Sequence, residues 1–144
     1  MQKPDSMKKF DLLFWGSMAL SVIGLVLGWA SMQDAMAAEM AEVDGALGEG
    51  AMQGIVIIGF IVGIGLYVGL WFLISILRIE FVKWILIALV LYGLVTMPAG
   101  FEMAGGLGIE HIPGILSTVL LLLAIWMLFR ADSRAWFAAK QDAQ

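Results

Sequence analysis

Four stretches of this chain, residues 12–30, 54–77, 84–100 and 112–129, contain no Asp, Glu, Lys, Arg or His. As α-helices rising 1.5 Å per residue they measure about 25 to 36 Å, against a hydrocarbon core of about 30 Å. Backbone amides cannot be left bare in lipid, and runs this long without strict alternation read as helices, not barrel strands. The predicted fold class is therefore all-α and polytopic, an integral membrane protein with four transmembrane helices. The chain has 144 residues, 62% hydrophobic and only 14% charged. A soluble domain of that size has no core large enough to hide so much apolar surface. After four spans only loops and tails remain, so residues 1–144 read as a single four-helix transmembrane domain.

The cations set the orientation. Lys3, Lys8 and Lys9 precede the first span, Arg78 and Lys83 separate the second and third, and Arg130, Arg134 and Lys140 follow the fourth. All eight fall on one side, which the positive-inside rule makes cytoplasmic, with both termini inside. The opposite loops hold Asp34, Glu39, Glu42, Asp44, Glu49, Glu102 and Glu110 and no cation. Trp15, Trp71, Trp84 and Trp126 fall toward the inner ends of the spans, and Trp29 and Phe101 toward the outer ends, as aromatic belts do. The basic start, the first apolar run and Ala35-Met36-Ala37 also resemble a cleavable signal peptide. The 19-residue run exceeds a normal signal core, so it reads as an uncleaved helix.

Inside a membrane, small residues mark close helix contacts better than large apolar ones do. Ser17, Ser21, Gly24 and Gly28 share a narrow arc of the first helix. Gly59 and Gly63 form one GxxxG pair in the second, and Gly65 and Gly69 another, about a third of a turn away. The second helix is thus expected to sit centrally with two neighbours, and the fourth, leucine-rich after Gly114, Ser117 and Thr118, to face lipid. Tyr67 and Tyr92 either face each other or a pore, or each meets a backbone carbonyl. The absence of Asp, Glu, Lys, Arg and His within the spans speaks against ion-coupled transport.

The first outer loop has its own pattern. Ser31 and Asp34 resemble a capped helix start, and Met32, Met36, Met40 and Val43 recur at helical spacing, predicting a short separate helix over about 32–43. That stripe reads as a packing face; a sharper reading gives Met32, Met36 and Met40, with His111, to Cu(I), because thioethers are soft ligands. The second outer loop groups Glu102, Glu110 and His111, potential acid-base or weak cation-binding groups in a glycine-rich segment that matches no metal motif. No cofactor is implied: the chain has no Cys for thiolate sites, and its one His is too few for a bis-imidazole haem. No basic stripe points to nucleic acid.

After the fourth span, Arg130, Arg134, Trp136 and Phe137 predict an interfacial anchor, cations at the headgroups and rings at the boundary. The stretch Met127-Leu128-Phe129-Arg130 followed by Asp132-Ser133-Arg134-Ala135-Trp136-Phe137 resembles the ending of many small bacterial inner-membrane proteins thought to have four helices. The resemblance covers only residues 127–137. It implies a bacterial inner membrane and a similar architecture, and it transfers no activity and no site residue.

The expected function is a non-catalytic accessory, assembly or scaffolding subunit that contacts the lipid bilayer and binds other membrane proteins or itself. The alternative is a small oligomeric channel or facilitator for a neutral or cationic solute, favoured if Ser17, Ser21, Tyr67 and Thr96 line one route. A lipid-modifying enzyme would instead need Glu102, Glu110 and His111 to converge.

Overall fold

The computed structural model describes residues 2–42, 49–103 and 108–141. Among them all regular structure is helical: α1 (Asp5–Glu42), α2 (Glu49–Ser75), α3 (Val82–Met103), a 3-10 turn (Ile109–His111), α4 (Ile112–Leu128) and α5 (Ala131–Gln141). Segments of α1, α2 and α3 are each long and apolar enough to cross a membrane. A fourth candidate is α4 together with α5, which turns away from it by 60°.

The helix boundaries differ from the sequence reading at the first outer loop. α1 runs unbroken for 38 residues, so residues 32–42 continue it and no separate helix begins at Ser31. The physical reason is composition: Ala30, Ala35, Ala37, Ala38 and Ala41 favour helix, and no proline interrupts the run. A serine with a following acid is a cap only where the backbone leaves the helix. At the other end, the Pro4 carbonyl accepts the first bonds from Met7 N and Lys8 N, so α1 starts well before Leu12. Pro98 lies inside α3, which continues to Met103.

The order of packing is also different. α1 and α4 form the central pair, and α2 and α3 lean on it more lightly. Ser117 Oγ donates to the Ser17 carbonyl at 2.7 Å and lies 2.7 Å from Ser21 Oγ, so the two backbones approach closely there. A Cβ on Gly24 would sit 3.5 Å from Pro113 Cβ, and one on Gly16 3.4 Å from Leu120 Cδ1. α4, expected to face lipid, instead buries Ser117, Leu121, Ala124 and Leu128. α2 touches two neighbours as expected, α1 and α3, but is not at the centre: a Cβ added at Gly59, Gly63, Gly65 or Gly69 meets nothing within 4 Å. Glycine permits a close approach without enforcing one, whereas the serine hydrogen bonds and the Leu120 and Leu121 side chains fix the α1–α4 contact.

Most of the core lies at one end, with Leu121 and Ala124 extending it along α4. Met7, Phe10, Phe14, Leu70, Ile74, Val82, Leu86, Leu128 and Phe137 are all buried, and all lie where the cationic segments gather. Toward the opposite end, residues 18–35 of α1, 50–69 of α2 and 91–99 of α3 contain no buried position among those described. The helices are closed together at the cationic end; at the other, α1 and α4 stay in contact while α2 and α3 bury none of their described positions.

Candidate functional site

Polar ties hold the closed end. Asp11 lies one residue before the first apolar run, and its Oδ1 accepts hydrogen bonds from Trp71 Nε1 at 2.9 Å and Ser75 Oγ at 2.5 Å. Lys3 Nζ pairs with the other carboxylate oxygen, so one acid joins the N-terminal segment, α1 and α2. Trp15 meets Trp71 edge-on at 5.2 Å beside it. On the other flank Lys83 is buried, paired with Glu80 at 2.5 Å, its ammonium 5.2 Å from the Phe129 ring and 6.0 Å from that of Phe137. Arg78 takes a left-handed backbone conformation, φ 54°, and lays its guanidinium 4.4 Å over the Trp136 ring.

α5 completes this closure. Ser6 Oγ and Ser133 Oγ are 2.5 Å apart, Ser133 Oγ lies 2.8 Å from the Met127 carbonyl, and Ser6 N donates to Asp132 at 3.3 Å. The Ser6 hydroxyl first, and backbone N–H groups with it, hold the Asp132 carboxyl below its ordinary range. Trp136 and Phe137, expected at the lipid boundary, are 3% and 0% exposed inside the protein, while Arg130 and Arg134 stay exposed. The 60° turn after α4 aims the aromatic face of α5 back at the bundle, where Arg78 and Lys83 supply cation–π partners.

The opposite end leaves a cleft between the α1–α4 pair and α2. Its deeper part, about 330 Å³, is lined by Ser17, Met18, Tyr67, Gly63, Ser117 and Thr118, among others. An adjoining part of about 260 Å³ shares Ser21, Phe60 and Gly114 with it and extends to Met97 and His111. The hydroxyls of Ser17 and Thr118 donate to the carbonyls of Phe14 and Gly114 at 2.8 and 3.0 Å. Gly59 lines the cleft with Gly63, while Gly65 and Gly69 are exposed on another face of α2.

The structure thus brings Ser17, Ser21 and Tyr67 to one cavity, but Thr96 is exposed on α3, bonded to the carbonyls of Tyr92 and Gly93. Tyr92 is 70% exposed and lines neither part of the cleft. Gly28 has open space around it, outside the α1–α4 contact. Of the proposed thioether set, Met32 is half-buried on α1 and the side chains of Met36 and Met40 lie outside the described residues. So do Val43 and the side chain of Glu110; Glu102 is exposed at the end of α3, and His111 sits in the turn before α4. Among the described residues no three His, Asp or Glu side chains group to hold a metal.

Sequence reasoning missed Asp11, Lys3 and Ser75. The available signal was an acid between Phe10 and Leu12, at the very edge of the first apolar run, with Trp71 and Ser75 one helical turn apart at the same end of the second.

Comparison with protein-family models, with characterised proteins and with solved structures found no match for this chain.

Proposed function

We propose that this chain is a non-catalytic accessory or assembly subunit of a bacterial inner membrane that binds another membrane protein through the outward face of α2. The observation that carries the reading is the pair Gly65 and Gly69: both are exposed, and a Cβ on either meets nothing within 4 Å. They stand on a helix in which no position from 50 to 69 whose burial is described is buried. Lipid tails are as apolar as leucine, so a bare glycine face gains little from lipid and much from a second helix that approaches it closely. In this reading α1 to α4 all cross the membrane. Both termini and the cations are cytoplasmic, and the acidic loops are periplasmic. Support comes from the cation asymmetry, and from Lys3, Arg78 and Lys83 meeting partners at one end of the bundle. The bacterial setting rests on the resemblance of residues 127–137.

A channel draws support from Ser17, Ser21 and Tyr67 sharing one cavity. Against it, buried Phe10, Phe14 and Leu70 fill the closed end beyond the cavity, and Thr96 lies elsewhere. The deciding experiment is mild solubilisation of native membranes, followed by size analysis and mass spectrometry of what co-migrates. A stoichiometric foreign membrane protein, lost on changing Gly65→Leu with Gly69→Leu, supports the subunit. A lone homo-oligomer that leaks ions in liposomes overturns it. Cysteine labelling tests the topology: Asp44→Cys and Arg130→Cys, the latter at an exposed position, must react from opposite sides.

A further inference from the structure

Tyr67 places a phenol well inside the second span. It lies eight residues, about 12 Å, from the inner end of α2 at Ser75 and lines the cleft. The four other hydroxyls on that wall, those of Ser17, Ser21, Ser117 and Thr118, are hydrogen-bonded within the chain. Tyr67 has no hydrogen-bond partner among the described residues. In a hydrocarbon setting such a donor calls for an acceptor brought in from outside.

The rest of the cleft defines what carries that acceptor. Met18, Phe60, Ile64 and Leu121 give it apolar walls, Gly59 and Gly63 a flat one, and no Asp, Glu, Lys or Arg lines either part. A charged occupant would lose its hydration with nothing to replace it. A volume of about 330 Å³ is in the range of small-molecule sites, about 300 to 1,000 Å³. Phospholipid esters sit at the headgroup boundary, roughly 10 Å from the depth of Tyr67 in a core about 30 Å thick.

The geometry points to a binding site for a neutral lipophile bearing a carbonyl oxygen, of the quinone or long-chain ketone class, which enters sideways from the bilayer. Its oxygen accepts from Tyr67 Oη, its body lies between the Phe60 and glycine wall of α2 and the Met18 and Leu121 side of α1 and α4, and its tail follows the adjoining space toward Met97. This is separate from the Gly65 and Gly69 face on which the proposed partner binds.

The test uses the full chain in nanodiscs and a decyl-substituted benzoquinone, with dodecylbenzene as a probe of similar shape that has no acceptor. Binding is read by native mass spectrometry. The quinone is expected to bind one per chain, at least fivefold tighter than dodecylbenzene. Tyr67→Phe, which keeps the ring, is expected to weaken it about three- to tenfold. Gly63→Leu, which fills the cleft, is expected to abolish it, and Gly65→Leu to leave it unchanged. Helical content by circular dichroism shows that each variant is folded. Equal binding of the two probes, no binding of the quinone, or an unchanged affinity in Tyr67→Phe overturns the assignment. Since Gly65→Leu bears only on partner capture, failure of one proposal is distinguishable from failure of the other.

Discussion

Removing the Asp11 carboxylate tests whether one acid ties α2 to the rest of the bundle. Asp11 accepts from Trp71 Nε1 at 2.9 Å and Ser75 Oγ at 2.5 Å and pairs with Lys3. Net hydrogen bonds to a charged group contribute about 1.5 to 3 kcal/mol each. The Asp11 and Lys3 side chains are 24% and 27% exposed, so screening by solvent reduces the sum. We expect Asp11→Ala to cost about 2 to 4 kcal/mol, combining lost bonds with the stranded Lys3 charge. Asp11→Asn, which keeps one acceptor, should cost about half of that. The assay is reversible unfolding in mixed dodecyl maltoside and SDS micelles, arranged as a double-mutant cycle with Trp71→Phe. Coupling of about 1 kcal/mol between the two positions is expected. Coupling below about 0.3 kcal/mol would refute the reasoning, because the Trp71 bond to Asp11 would then add nothing to the tie between α1 and α2.

The other predictions address the α1–α4 seam and the cap. Gly24→Leu should separate α1 from α4 and lower the unfolding midpoint, since its Cβ already meets Pro113 at 3.5 Å, whereas Gly28→Leu should be neutral in the same assay. Trp136→Ala and Phe137→Ala each empty a buried site and should cost about 3 to 5 kcal/mol, releasing α5 so that trypsin cuts at exposed Arg130 and Arg134 in intact micelles. A tail equally resistant in both variants would show that α5 is held by Ser6, Asp132 and Ser133 alone. Asp132 has its folded pKa depressed, so its contribution is present at neutral pH and is lost as pH falls from the ordinary carboxylate range through the depressed value. Thermal unfolding between about pH 6 and 3 should therefore drop further for the natural chain than for Asp132→Asn; parallel curves would remove the link.

Much of the candidate site was legible in part. Ser17, Ser21 and Gly24 share an arc, and that arc does meet another helix, because hydroxyls and a missing side chain are local properties that favour close approach wherever a neighbour exists. Which neighbour it is was not legible: α4 has only Gly114, Ser117 and Thr118 to announce itself, and the leucines after them were equally compatible with lipid or with a core. Periodicity in a membrane helix is blunted because both environments are apolar, so burial leaves little trace in residue type. Trp136 and Phe137 illustrate the same ambiguity at the interface, where an aromatic beside cations suits a headgroup boundary or a cation–π contact equally well.

Length and polarity alone determined that the chain is helical and apolar enough to span a bilayer, since backbone hydrogen bonding in hydrocarbon permits nothing else and depends on no neighbour. They also gathered the cations at the ends that meet, because helix length converts sequence position directly into depth. The tertiary structure decided which helices touch, and with that the closure at one end and the cleft at the other. Those follow from a few long-range contacts, Asp11 with Trp71, Ser117 with Ser17 and Arg78 with Trp136, between residues 58 to 100 positions apart. Each pair acquires its meaning only when folding brings its members within reach.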